Sequence, residues 1–345
     1  MKKFSIVLLS ICILLSGLSG CAKVPKEGAK DMGEKETAVH IGITFDTFVL
    51  ERWTRDRDVF VSTAQKLGAK VDVQNANGDV SKQRSQINKF IEEQMDVIVV
   101  VAVDCFRVTD LVKKARSQGI QVISYDRMVQ GTVTDLYITV DNEQVGAAMA
   151  KTIKERLPNG GNVVMICGPE ADTNTLDVVN GFEKELNGSN LTIVEKGFVK
   201  AWTPEYGFQA VNDAFKSVEK IDAVMCGNDG LAGYAIKALS EQQLAGTIVV
   251  TGQDADLEAC QRVIEGTQAM TVYKPIEELA KQAASYAVQL ANQGKLSDIT
   301  DMKSNDVGEV PYCGLEPIAV TKDNMDEVIV RSGFHLQDEV YLNMN

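Results

Sequence analysis

The feature that most constrains the fold of this chain is a regular alternation of short apolar runs with amphipathic stretches, which starts at His40 and extends past Ile276. Valine, isoleucine and aromatic residues dominate the runs, as is typical of strands, and residues 97–103 are apolar throughout, as in a strand covered on both faces. Such alternation predicts parallel sheets in α/β layers. A Pro-Asn-Gly-Gly break at residues 158–161 divides the pattern, so we expect two similar doubly wound domains.

The predicted strands fall into two series on either side of this break. They are expected at residues 40–45, 70–74, 97–103, 122–125 and 136–140, and then at 162–167, 191–199, 223–226, 247–251 and 269–273. Helices of the second series are expected to start near Thr175, Pro204, Leu231, Leu257 and Ile276.

The length and the net charge of the chain limit the functions that it can have. The chain has 345 residues, enough for two ordinary domains, and a formal net charge of −13. An acidic chain without a basic run disfavours nucleic-acid binding, since phosphate contacts need Lys and Arg. Only two histidines are present, His40 and His335, which leaves little for chemistry that needs a histidine base or several histidine ligands.

Residues 1–20 have the pattern of a secretory signal. Lys2 and Lys3 precede an apolar run that ends in Leu-Ser-Gly-Cys21 and is shorter than the about 20 apolar residues that span a bilayer. The sequence before Cys21 resembles a bacterial lipobox, so we expect cleavage there and diacylation of Cys21. An ordinary signal peptide with an incidental Cys21 is the alternative. Residues 21–37 are expected to form a flexible tether, which predicts an extracytoplasmic protein with a lipid anchor in the cell membrane.

The five cysteines that follow Cys21 indicate neither a metal site nor a disulfide framework. Their number is odd and no Cys-x-x-Cys pair occurs. Cys167 and Cys226 lie in strand-like runs and are expected to be small core residues. Spacing alone leaves open whether Cys105 and Cys313 meet. No metal and no cofactor is predicted.

Candidate functional residues follow the predicted strands, because parallel α/β sheets bind ligands at the carboxyl ends of their strands. The loops there carry polar planar groups and two indoles: Asp46, Arg52, Trp53, Asp104, Asp126, Arg127, Asp141, Asn142, Asp172, Asn174, Trp202, Asn228, Asp229, Gln253, Asp254 and Lys274.

This collection favours binding over catalysis. The chain contains no Gly-x-Ser-x-Gly nucleophile elbow and no Gly-x-x-x-x-Gly-Lys-Ser/Thr phosphate loop. Paired carboxylates can form a glycosidase, but here each carboxylate has an amide or a cation nearby, which suits hydrogen bonding to hydroxyls. Charged groups bind hydroxyls strongly and indoles cover apolar ring faces, so a monosaccharide site is predicted.

Structural roles compete with this interpretation. Trp202 could be a core residue, Arg52 could lie on a solvated helix face, and Lys274 could be a surface charge. Asp141, Asn142 and Asp172 are good helix caps.

Several motifs together resemble the periplasmic sugar-binding proteins of the ribose/galactose/xylose class, in particular the D-xylose-binding proteins. The resemblance extends from about His40 to about His335. The motifs include Glu-Arg-Trp at residues 51–53, Tyr-Asp-Arg-Met at 125–128, Thr-Gly-Gln-Asp-Ala-Asp at 251–256 and the segment 266–276.

The resemblance implies a type I periplasmic binding protein with a Venus flytrap fold, in which two α/β lobes with doubly wound parallel sheets are joined by a three-strand hinge. Crossings are expected near Val145, Lys274 and Asp306. The N-terminal lobe would comprise residues 38–145 plus 275–306, and the C-terminal lobe residues 146–274 plus 307–338.

The resemblance also implies the ligand-binding residues. Trp53 and Trp202 would stack on the sugar, and the hydroxyl partners would be Arg52, Arg127, Asp172, Asn174, Asn228, Asp254 and Lys274. Two loops depart from the family pattern. They are Ala-Val-Asp at residues 102–104, which puts a role for Asp104 in doubt, and residues 168–171.

The expected function is therefore binding of D-xylose or a similar monosaccharide, with no enzymatic activity. Ribose, arabinose and glucose remain alternative sugars. The membrane partner would be the permease of a sugar ABC importer or, alternatively, a histidine kinase that makes the chain a sensor. A repressor of the same fold would carry a helix-turn-helix where this chain has its signal and tether.

Overall fold

The computed structural model describes residues 38–49 and 51–344. The expected signal peptide at residues 1–20, the lipidated Cys21 and the tether at residues 21–37 lie outside the described residues. None of the helices in the described ranges combines the length and apolar character needed to cross a bilayer.

Strands and helices alternate along the described chain as the sequence predicts. The strands are β1 His40–Phe45, β2 Lys70–Asn75, β3 Val97–Val100, β4 Gln121–Tyr125, β5 Leu136–Val140, β6 Gly161–Cys167, β7 Leu191–Phe198, β8 Ala223–Cys226, β9 Val249–Gln253, β10 Met270–Tyr273, β11 Met302–Asn305, β12 Gly308–Leu315 and β13 Ile318–Val320. The helices are α1 Glu51–Lys66, α2 Val80–Glu92, α3 Thr109–Ser117, α4 Asn142–Arg156, α5 Thr173–Leu186, α6 Glu205–Ser217, α7 Asp229–Glu241, α8 Leu257–Glu265, α9 Ile276–Gln293 and α10 Gln337–Val340. A π-helical turn, Asp326–Val330, and a 3₁₀ turn, Leu342–Met344, lie near the end of the chain.

The strands form two separate sheets. The first has the order β11-β12-β5-β4-β3-β1-β2, and the second has the order β13-β10-β9-β8-β6-β7. Strands β1 to β5 and β12 are parallel, as are β6 to β10, while β11 and β13 join antiparallel. The predicted architecture of two α/β lobes with mainly parallel sheets is confirmed.

Strand β3 shows how the first sheet is buried on both faces. Val97 and Val99 pack into one apolar cluster with Phe60 of α1, whereas Ile98 and Val100 pack into another with Phe90 of α2. Side chains alternate between the faces of a strand, so a run without polar residues requires a helical layer on each side. Strand β3 is therefore the covered strand that the run at residues 97–103 predicts.

The described chain passes between the two lobes three times. The first crossing lies at Asp141, a few residues before the expected boundary at residue 145, because α4 already packs against α5 and the second sheet. The second lies at Lys274 and Pro275, because α9 packs against α1 and the first sheet. The third lies between Leu315 and Ile318, where β12 gives way to β13.

The predicted third crossing near Asp306 was wrong, and so was the placing of the segment just after it in the C-terminal lobe. Asp306 lies in a tight turn in which Oδ1 of Asn305 accepts hydrogen bonds from the amides of Val307 and Gly308, each at 3.1 Å. The turn reverses the chain into β12, which pairs in parallel with β5. Strand β12 therefore extends the sheet of the N-terminal lobe.

Candidate binding site

A cavity lies at the carboxyl ends of both sheets, and polar side chains of both lobes line it. Arg127 follows β4, Asn228 follows β8 and Asp254 follows β9, which is where parallel α/β sheets place ligand-binding groups. The structure brings all nine side chains predicted from the sequence to this one cavity: Arg52, Trp53, Arg127, Asp172, Asn174, Trp202, Asn228, Asp254 and Lys274.

Arg52 and Trp53 reach the cavity from the first turn of α1. Arg52 is buried, which excludes the solvated helix face considered for it, and its guanidinium carbon lies 4.2 Å from the centre of the Trp53 ring. Its Nη2 lies 2.8 Å from Oδ1 of Asp126 in the same lobe, and its Nη1 lies 3.7 Å from Oδ1 of Asp254 in the other. Arg52 therefore places positive charge between carboxylates of both lobes.

Asp126 is central to the cavity, although sequence reasoning placed it in the right loop without assigning it to the site. Its Oδ2 accepts a hydrogen bond of 2.9 Å from Nδ2 of Asn174 across the lobes. Burial alone would raise the pKa of Asp126, but Arg52, Lys274 and Arg127 hold this pKa below its usual range. The sequence feature that could have assigned Asp126 to the site is its position directly before Arg127 at the end of a predicted strand.

Arg127, Asp172 and Trp202 form a second polar chain across the lobes. Nη1 of Arg127 donates to Oδ2 of Asp46, and its Nε lies 2.8 Å from Oδ2 of Asp172. The same carboxylate oxygen accepts from the indole nitrogen of Trp202 at 3.0 Å. Burial raises the pKa of Asp172, although Arg127 opposes the shift. The indole is therefore held at the cavity wall by its nitrogen.

The position of Trp202 also depends on a glycine. A Cβ atom on Gly168, directly after β6, would lie 2.2 Å from Cη2 of Trp202 and 2.5 Å from Oγ1 of Thr175. Such distances are far inside van der Waals contact. The absent side chain of Gly168 thus leaves the space that the indole occupies.

Asp254 and Lys274 close the cavity on the side of the second crossing. Nζ of Lys274 lies 3.2 Å from Oδ1 of Asp254, and the Lys274 side chain is buried. The surface charge considered for Lys274 is therefore excluded. A buried ammonium group needs such a partner, because desolvation of an unpaired charge is costly.

Two residues each cap a helix and also line the cavity. Asp172 caps α5 by accepting from the amide of Asn174 at 3.0 Å, while its other oxygen faces Trp202. Asn228 caps α7 by accepting from the amide of Leu231 at 2.9 Å. Because Oδ1 of Asn228 serves the cap, its amide nitrogen is the atom that remains to donate to a ligand.

Other loop residues singled out in the sequence accept hydrogen bonds from backbone amides outside the cavity. Asp141 caps α4, and Oδ1 of Asp104 accepts from the amides of Phe106 and Arg107. Neither Asp141 nor Asp104 lines the cavity. The departure from the family pattern at residues 102–104 therefore lies outside the cavity wall.

Several buried polar atoms around the cavity form no hydrogen bond with the described residues. They include Nε1 of Trp53, Oγ1 of Thr175 and Oε1 of Gln253. Buried donors and acceptors are nearly always satisfied in folded proteins, since an unmet one costs free energy. Donors and acceptors placed together in this way suit a ligand that both donates and accepts, such as a compound with several hydroxyls.

Metal and disulfide chemistry finds no support in the described residues. No cluster of three or more metal-ligating side chains occurs there. All five described cysteines are free thiols, so Cys105 and Cys313 do not pair, and Cys167 and Cys226 are buried as expected.

Comparison with known proteins adds the family to this geometry. The periplasmic binding protein domain matches residues 41–296. The D-xylose-binding periplasmic protein of Haemophilus influenzae is 39% identical over 306 residues, covering 87% of this chain and 92% of that protein. The D-xylose-binding periplasmic protein of Escherichia coli is 38% identical over 346 residues, covering 98% of this chain and 100% of that protein.

A solved structure has the same fold. It is an ABC transporter solute-binding protein from Clostridium phytofermentans with bound β-D-glucose, 27% identical, with a TM-score of 0.79 over 87% of this chain and 99% of that one. The resemblance identified from the motifs is thus confirmed. The chain belongs to the family of periplasmic binding proteins, which bind solutes and do not catalyse a reaction.

Proposed function

We propose that this chain is an extracytoplasmic D-xylose-binding protein that closes its two lobes around one sugar molecule. The observation that carries the proposal is the convergence of Arg52 and Asp126 from one lobe with Asn174 and Asp254 from the other in one buried cavity. The identity of nearly 40% with two D-xylose-binding periplasmic proteins supports the choice of sugar.

The side chains of the cavity match the chemistry of a pyranose. Asp126 and Asp254 accept hydrogen bonds, Arg52 and Lys274 donate them, and a sugar hydroxyl does both. The rings of Trp53 and Trp202 offer apolar faces to the C–H groups of the sugar ring. A sugar with a hydroxyl inverted or missing would leave a buried charge without a partner, which gives the site its selectivity.

Closure of the two lobes follows from the division of the binding side chains between them. Sugar bound to one lobe alone would meet only half of these groups, so the closed state has the higher affinity and sugar shifts the equilibrium towards it. The closed shape is then what a membrane partner recognises.

The remaining parts of the proposal concern the membrane. A diacylated Cys21 would tether the protein to the cell membrane, and the partner would be the permease of a sugar ABC importer. A membrane histidine kinase is the alternative partner, since ligand-driven closure serves transport and sensing equally.

Calorimetric titration of the purified chain with a panel of pentoses and hexoses tests the sugar. We expect D-xylose to bind more tightly than ribose, arabinose or glucose, and the absence of heat with every sugar would overturn the proposal. Pull-down with the candidate permease and the candidate kinase, each with and without xylose, tests the partner. Capture by the kinase alone would replace transport with sensing.

A further inference from the structure

The carboxylate of Asp254 is carried by a backbone turn of uncommon conformation. Asp254 has φ +103° and Ala255 has φ +54°. Residues with a side chain adopt positive φ only where the surrounding structure imposes it. Something near this turn must therefore hold it, and with it the direction of the Asp254 side chain.

The amides of the turn are held from the side of the second sheet. The amide of Ala255 donates to Oγ1 of Thr271 at 3.1 Å, and the amide of Asp256 donates to Oδ2 of Asp229 at 3.2 Å. Thr271 in turn donates to the same oxygen of Asp229 at 2.6 Å. Together with the amide of Asp254, which donates to the carbonyl of Val272 at 2.9 Å, these bonds account for the donors of the turn but not for the partner of the Ala255 carbonyl.

The carbonyl of Ala255 is bound by a residue far along the chain. Nε2 of the buried His335 lies 2.8 Å from this oxygen. A carbonyl can only accept, so Nε2 carries the hydrogen. Sγ of Cys260 also contacts this oxygen at 3.5 Å, but a thiol is a weak donor. His335 is thus the strong donor to the carbonyl of the turn.

His335 is itself fixed by contacts that reach both lobes. Its ring packs edge-on against Phe334 at 4.6 Å, and Phe334 packs against Tyr273 at 4.9 Å. The carbonyl of Phe334 accepts from Nη1 of Arg55, in α1 of the first lobe, at 2.7 Å. The segment that carries His335 is therefore anchored beside the second crossing, close to the cavity but outside its wall.

We propose that His335 is a positioning residue of the sugar site. By donating to the carbonyl of Ala255, it keeps the turn in the conformation that directs the Asp254 carboxylate towards Lys274, Arg52 and bound sugar. The inference rests on the proposed function, and it assigns part of the sugar affinity to a C-terminal segment that contacts no sugar.

Three single variants test the proposal by calorimetry with D-xylose. His335→Leu keeps an apolar side chain in the site but removes the donor, and we expect the Kd to rise about tenfold or more. In His335→Gln the amide nitrogen takes the place of Nε2, and we expect a Kd within about threefold of the unmodified chain. His40→Ala is the matched control, because the other histidine of the chain is exposed at the start of β1.

A double variant separates positioning from a general structural role. If His335 acts through Asp254, His335→Leu should change the Kd by less than about twofold in an Asp254→Asn background, measured by fluorescence at millimolar xylose. Equal effects in both backgrounds, or an unchanged Kd for His335→Leu, would refute the proposal. Should His335→Leu fail to fold, His335→Asn replaces it, because its shorter amide matches Nδ1 and not Nε2. Absence of xylose binding by the unmodified chain would instead count against the proposed function.

Discussion

Nδ2 of Asn174 in the second lobe donates a hydrogen bond of 2.9 Å to Oδ2 of Asp126 in the first. Asp126 is bound at the same time by Arg52 of its own lobe, so one carboxylate joins a cation and an amide from opposite sides of the cavity. Arg127 and Asp172 form a comparable pair between the lobes. The groups that we expect to bind sugar are therefore the groups that hold the lobes together in this structure.

Removing the amide of Asn174 should weaken both the contact between the lobes and the affinity for sugar. We expect Asn174→Ala to raise the Kd for D-xylose about tenfold or more, because a buried hydrogen bond to a charged group is lost. Calorimetry measures the affinity, and Asn190→Ala, at an exposed position, is the control. An unchanged Kd for Asn174→Ala would exclude a role for this amide.

Truncation of either Trp202 or Asp254 to alanine should lower the affinity for D-xylose below what calorimetry detects. Trp202→Ala removes an indole from the cavity wall, and Asp254→Ala leaves Lys274 buried without its carboxylate partner. We expect both variants to remain folded, as judged by circular dichroism, and to give no binding heat with D-xylose. Normal binding by both variants would mean that the sugar binds elsewhere.

Gly168→Ala should act on the site through Trp202. The added methyl group would overlap Cη2 of Trp202, so we expect the indole to shift, its fluorescence spectrum to change and the affinity for xylose to fall about tenfold or more. Gly197→Ala in β7 is the matched control, since a Cβ atom there meets nothing within 4 Å. Identical behaviour of the two variants would contradict the importance of the close approach.

Sugar should protect the thiol of Cys105 from alkylation. The amide of Cys105 donates to the carbonyl of Ala171 in the other lobe at 3.1 Å, and its Sγ lies 3.8 Å from Oγ1 of Thr173. Burial raises the pKa of Cys105 to about 12, so this arrangement, with the lobes in contact at Cys105, offers little thiolate. We expect iodoacetamide to label Cys105 more slowly with saturating xylose, as measured by peptide mass spectrometry.

The half-buried Cys313 provides the internal control for that experiment, since its Sγ contacts Oε1 of Gln282 in α9 of its own lobe. Its labelling should be independent of sugar. Equal labelling of Cys105 with and without xylose would mean that sugar does not change the exposure of this seam.

Asp229 should make the protein less stable as the pH rises towards neutrality. Burial raises its pKa from 3.8 to about 7, although Arg262 and the hydrogen bond from Thr271 oppose the shift. The folded state then binds a proton more tightly than the unfolded chain, so this contribution is complete below pH 3.8 and is lost as the pH rises through about 7.

The Asp229→Asn variant removes this titrating group. We expect the free energy of unfolding of the variant, relative to the unmodified chain, to improve by about 1 kcal/mol or more between pH 4 and pH 7. Urea denaturation at several pH values measures the difference. A difference that stays constant with pH would show that Asp229 does not titrate in this range.

The sequence alone determined most of the architecture and most of the cavity. Alternation of apolar runs with amphipathic stretches is a local property of the chain, and it located the ten strands from β1 to β10 with small shifts at their ends. Because parallel sheets place their functional loops at one edge, the order of the strands was enough to bring Arg127, Asn228 and Asp254 to one place.

The tertiary structure decided those features that depend on contacts between residues far apart in the sequence. The hairpin of β11 and β12 joins the first sheet because β12 extends the ladder of β5, and these two short strands carry no periodic pattern that indicates β5 as the partner. Likewise, Asp126 belongs to the cavity because Asn174 approaches it from the other lobe. Local periodicity reports which face of an element is buried, but which residue lies opposite another depends on how the two lobes meet.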